Sequence, residues 1–159
     1  MGMNVDITNR QAVCRVSTAR VRRLALFFMG EAAVLMPARH WRDVHVALTS
    51  DTEIASVNER FLKHAGATDV ISFLYAPVTG GSEALDAEIV VNVQRALAVG
   101  PRFGGVAREL ALYIAHGCDH LTDADDRTPK QRMQMRRREL RWLRKADRLG
   151  LLNGLLRLP

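Results

Sequence analysis

The sequence predicts an α+β domain: a small mixed sheet of about four strands, packed with helices, with a metal site at the end of a central helix. Three observations lead there. Short runs with strand-like alternation or β-branched and aromatic content are interleaved with longer runs whose apolar residues recur at helical spacing. One of those longer runs ends in two histidines four positions apart, and the last is densely basic along an apolar stripe. The length of 159 residues suits one domain over residues 1–159.

Asn4 to Thr8 alternates as a first strand, with Val5 and Ile7 pointing one way. Ser17 or Thr18 caps a helix in which Val21, Leu24, Phe28, Ala32 and Leu35 share a face, ending before Pro37. Asp43 to Thr49 sets Val44, Val46 and Leu48 against His45, Ala47 and Thr49, a half-buried strand. Ser50 and Asp51 offer caps to a helix reaching about Leu62. Asp69 to Tyr75 is a strand by its β-branched and aromatic residues. Ala76 to Asp86, with Pro77 and Gly80-Gly81, reads as a mobile loop before a strand over Ala87 to Asn92. A short helix to about Val99, a longer one over Gly105 to His120 and a last one over Pro129 to Leu149 complete the chain.

Composition narrows the class. Hydrophobic residues at 48% and charged residues at 25% exclude wholesale disorder and fibrous folds. Cys14 and Cys118 are too few for a disulfide framework and fit a reducing compartment. Arg22-Arg23 before Leu24 to Met29 imitates a secretory signal, but Glu31 cuts the apolar run short, and no run is long enough for a membrane span. The expectation is a cytoplasmic protein without a membrane anchor.

The chemistry concentrates between Glu109 and Asp126. Residues four apart stack on one helical face, so His116 and His120 can present two imidazoles to one metal ion. The chain then turns polar, and Asp126 stands six residues beyond His120, an offset at which several zinc hydrolases place a third ligand. Two imidazoles and a carboxylate would leave the fourth corner of a zinc ion for water, the pattern of a catalytic site. Cys118 points to the other side of the helix and reads as a core residue. Gly117 occupies the place where zinc peptidases carry their general-base glutamate, which disfavours peptide hydrolysis. A glycine inside a helix implies either close approach by a ligand or backbone, or a tight helix crossing that leaves no room for a methyl group.

These residues resemble the YbeY family of bacterial metal-dependent endoribonucleases of rRNA maturation. The family pattern H-G-x-L-H-L-x-G-Y-D-H corresponds to His116 through Asp126, with His116, Gly117, His120, Leu121 and Asp125 matching. Asp126 replaces the third histidine, an exchange zinc tolerates. Asn58 to Phe61, Thr68 to Phe73, Glu88 to Val91, and Met135 with Glu139 are similar to further blocks of the family. The chain departs at Asp119, Asp123 and Ala124, where the pattern has leucine, glycine and tyrosine. Asp123 can serve the turn if it adopts a left-handed conformation. Leu62 stands where the family commonly has an arginine, with Lys63 and His64 as neighbouring cations.

From Arg127 to Arg148 ten basic residues face two acids, a net +8 that exceeds the +6 of the whole chain. Met135, Trp142, Ala146 and Leu149, with Leu140 and Leu143 beside them, form the inward stripe; the arginines face water. Arg136, Arg137 and Arg141 are the candidate RNA contacts, since the planar guanidinium suits phosphate. The resemblance therefore implies a zinc-dependent, single-strand-preferring endoribonuclease of rRNA maturation and ribosome quality control. One zinc ion would be held by His116, His120 and Asp126, lowering the pKa of a bound water to about 7. Partners would be rRNA and ribosomal proteins. Asp125, Asp119 and Glu109 are the candidate bases. Two other readings are a zinc hydrolase of another substrate class and a non-catalytic ribosome- or RNA-binding module.

Overall fold

The computed structural model describes residues 2–77 and 83–159. In chain order it contains β1 (Asn4–Asn9), β2 (Arg15–Val16), α1 (Thr18–Leu35), β3 (Trp41–Thr49), α2 (Asp51–Leu62), β4 (Val70–Tyr75), β5 (Leu85–Asn92), α3 (Val93–Val99), a 3-10 turn (Gly100–Arg102), α4 (Val106–His120), α5 (Pro129–Arg148) and β6 (Leu156–Arg157). The main sheet has the order β1-β3-β5-β4, with β1, β3 and β5 parallel and β4 antiparallel to β5. This is the expected mixed four-stranded sheet. The second, tiny sheet of β2 and β6 was not foreseen: two residues per strand carry no periodicity.

Helix starts follow local chemistry. Ser17 accepts from the Arg20 amide, and Asn92 from the Arg95 amide. Thr128 and Gln131 form a reciprocal capping box with Pro129 in the first turn. Ser50 holds the cap position of α2 without a side-chain bond; Gln94 Oε1 accepts from the Asp51 amide instead, and Asp51 accepts from Asn92.

The main core lies on one face of the sheet. Val5, Val44, Val46, Leu48, Ile89 and Val91 meet α1 (Val21, Leu24, Phe28, Ala32) and α4 (Leu110, Ile114, Cys118). Leu35, expected on the buried face of α1, is 44% exposed, because the sheet no longer lies beneath the last turn. Leu149 is likewise exposed, the stripe of α5 ending at Ala146. The opposite face carries a smaller cluster of Ile54, Ile71 and Val90 under α2. The expected loop is shorter than its sequence suggested, because Leu85 and Asp86 already pair with β3 and β4. Gly80-Gly81 lie outside the described residues. Among the described residues no helix is long and apolar enough to cross a membrane.

Helix α4 is the central element: Glu109 to Ala115 and Gly117 to Asp119 are all buried. A Cβ on Gly117 would lie 2.6 Å from Ile89 Cγ2 and 3.0 Å from Val70 Cγ2, while the Ser72 hydroxyl donates to the Gly117 carbonyl at 2.7 Å. The neighbours that leave no room for a methyl group are side chains of the sheet, where the sequence suggested a crossing helix. Gly117→Ala gains about 1 kcal/mol of helix propensity but overpacks the core by about 1–3 kcal/mol. We expect a thermal midpoint lower by roughly 2–8 °C, read by circular dichroism.

Candidate metal centre

The end of α4 and the turn after it build the site. One helical turn sets His116 and His120 side by side, with Nε2 to Nε2 3.0 Å and the rings edge to face. Beyond His120 the chain reverses, with the Leu121 and Thr122 amides donating to the Cys118 and Asp119 carbonyls. Asp123 adopts φ +63°, the left-handed conformation the missing glycine demands. The chain then returns with Asp126 Oδ2 3.5 Å from His120 Nε2. One ligand atom from each of His116, His120 and Asp126 lies within 4.8 Å of the others.

A tetrahedral ion with bonds of about 2.0–2.2 Å sets its ligand atoms about 3.3–3.6 Å apart. The observed 3.0 and 3.5 Å are within a small side-chain adjustment of that. His116, His120 and Asp126 side chains remain 29%, 30% and 44% exposed, so the centre is open to solvent on one side. Nitrogen–nitrogen–oxygen donors with an open corner fit one zinc-like ion.

Glu139, an acid inside the apolar stripe of α5, is 1% exposed, and its Oε2 lies 2.8 Å from His116 Nδ1. With the Nδ1 proton donated to Glu139, Nε2 presents a bare lone pair. Burial lowers His116, but the Glu139 bond and charge outweigh it and hold the imidazole above its ordinary range. Among the described residues His120 has no such partner on its other nitrogen; burial and then the neighbouring His116 keep it below. Sequence reasoning had assigned Glu139 no function. Its signal was legible as an acid four residues after Met135 and three before Trp142, in the buried stripe.

The three carboxylates considered as bases have different surroundings. Asp119 is fully buried and accepts from Arg138 at 2.8 Å. Burial and the nearby Glu139 carboxyl push it up to about 7 against the pull of Arg138. Asp125 accepts from the Arg127 amide at 3.0 Å and from its guanidinium, which hold it below the usual carboxylate range. Glu109 lies seven residues before His116, about 10 Å of helical rise away, and burial raises it. Cys118 is fully buried in the core, and burial raises its thiol strongly, as expected of a non-ligand.

His116 also lines a cavity of about 510 Å³ between α3, α4 and α5. Arg95, Arg108 and Arg136 enter it, with Asp69, Glu109 and Tyr113. Burial, then Glu109, push Tyr113 up to about 12, so its hydroxyl stays protonated. Arg136 is thus placed beside the centre, whereas Arg137 and Arg141 are exposed on α5 and do not line the cavity. Lys63 and His64 lie exposed at the end of α2, also outside the cavity lining.

A buried helix offers two imidazoles, a turn returns a carboxylate and an arginine-lined cavity lies alongside, an arrangement that could hold a metal ion. The sequence matches the family model described as Endoribonuclease YbeY over residues 6–147. The chain belongs to that family, whose members are named as RNA-cleaving hydrolases. An Endoribonuclease YbeY from Elusimicrobium minutum is 37% identical over 117 residues, covering 72% of this chain and 82% of the relative. One from Solibacter usitatus is 30% identical over 152 residues, covering 95% and 92%. The solution structure of a Thermotoga maritima protein shares the fold at a TM-score of 0.57 and 19% identity, covering 92% of this chain and 93% of that one.

Proposed function

We propose that the protein is a zinc-dependent endoribonuclease that cleaves single-stranded segments of rRNA during ribosome maturation and quality control, in the cytoplasm and in contact with ribosomal proteins. The observation that carries the reading is the convergence of His116, His120 and Asp126 with Glu139 behind His116. In this reading those three side chains hold the ion. Zinc there would supply Lewis acidity to a phosphoryl oxygen and a water acidified toward a pKa of about 7.

The chain's own residues do the rest. Glu139 keeps the His116 Nδ1 proton in place, so Nε2 faces the ion in one tautomer. Arg136 in the cavity neutralises the phosphodiester, and Arg137 and Arg141 extend the positive face along α5. Tyr113, still protonated at neutral pH, is available as a hydrogen-bond donor to the bound strand. The peptidase reading is disfavoured because the Gly117 position is closed by Ile89 and Val70.

Metal removal tests the proposal. Protein stripped with a chelator should lose RNA cleavage, and zinc should restore it while casein stays intact. Undiminished RNA cleavage by fully metal-free protein would overturn it.

A further inference from the structure

We infer that Arg39 is the positioning residue that lets an aspartate serve where the family pattern has a third histidine. The inference rests on the reading of Asp126 as a metal ligand. The turn after α4 is electrostatically awkward: Asp123, Asp125 and Asp126 crowd the negative end of a helix. Arg39, from the segment before β3, reaches across to it. Its Nη1 donates to the Leu121 carbonyl at 2.8 Å and to Asp123 Oδ1 at 3.2 Å, and its Nη2 to Asp123 Oδ2 at 2.7 Å.

That two-pronged pair does three things. It satisfies a carbonyl at the helix end that has no helical partner. It offsets the cost of a left-handed aspartate. It also removes Asp123 from competition for the ion. Asp125 is engaged by Arg127, and Arg132 Nη1 donates to the Asp126 carbonyl at 3.0 Å. Of the three acids, Asp126 alone has a carboxylate without an arginine partner, and it faces His120. A carboxylate side chain is shorter than an imidazole, so its backbone must be held closer to the ion. The Arg39 side chain is only 18% exposed and its guanidinium carbon lies 5.9 Å from the Trp41 ring centroid, which limits its own freedom.

The test is a double-mutant cycle read by the zinc dissociation constant of the purified full chain, measured by chelator competition. Arg39→Ala should weaken zinc binding about tenfold or more, the scale of partners that orient a ligand. Asp123→Gly, which relieves the left-handed strain and leaves Arg39 its bond to the Leu121 carbonyl, should weaken it less than Arg39→Ala does, and Arg39→Lys should recover part of the loss. In an Asp126→Ala background, Arg39→Ala should change zinc binding by less than about twofold, because the ligand it positions is gone. Equal losses in both backgrounds, or no loss in either, would overturn the inference while leaving the ligand set intact. Unchanged zinc binding in Asp126→Ala itself would remove the ligand reading and the inference together. Circular dichroism of each metal-free variant separates these outcomes from unfolding.

Discussion

His116→Ala should leave a protein that keeps its fold, loses its tightly held ion and cleaves RNA at least about a hundredfold more slowly. The imidazole offers one of the three donor atoms of the proposed centre and hydrogen-bonds the acid on α5, so its removal takes both a donor and the link to Glu139. The cavity opened at the end of α4 is partly solvent-exposed, so water can occupy it at little cost in stability. His120→Ala should act alike on metal content without disturbing Glu139. Elemental analysis of the purified variants, read beside cleavage of a single-stranded RNA, checks both. Full metal content with unimpaired cleavage in both would exclude this pair as ligands.

Glu139 variants should divide charge from orientation. Glu139→Gln can still accept a hydrogen bond from His116 Nδ1 through Oε1, so it should lose about tenfold in metal affinity. Glu139→Ala strands that proton in a buried setting and should cost up to about a hundredfold, with about 1–3 kcal/mol of stability. The same series shifts the imidazole. Glu139 holds His116 above its ordinary pKa, so removing the carboxylate lets burial dominate and the pKa falls. Metal-free Glu139→Ala should therefore release the His116 proton at lower pH than wild type, a difference visible in imidazole proton resonances. An unshifted resonance would mean that the carboxylate does not set the tautomer.

Much of this arrangement is written in local sequence. The four-residue spacing of His116 and His120 dictates a shared helical face, and the polar run after His120 dictates a turn, so the triad is legible without a structure. The same holds for the positive φ at Asp123, which follows from a missing glycine. Less is legible where contacts join distant segments. Nothing near Arg39 announces that it reaches residues more than eighty positions away. Asp69, Arg95 and Arg136 meet in one cavity only because β4, α3 and α5 are brought together by the sheet order. Lys63 and His64, the cations beside Leu62, do not line that cavity, because proximity along the chain says nothing of which cavity a side chain enters. Helix α4 shows the limit of periodicity itself, since a helix buried on nearly all sides has no polar face to alternate against.

The pairing of β2 with β6 joins residues 15–16 to residues 156–157, and Ser17 at the start of α1 donates its amide to the Leu155 carbonyl. This short ladder therefore fastens the start of α1 to the segment after α5, so that α1 and α5, both packed against α4, are tied to one strap.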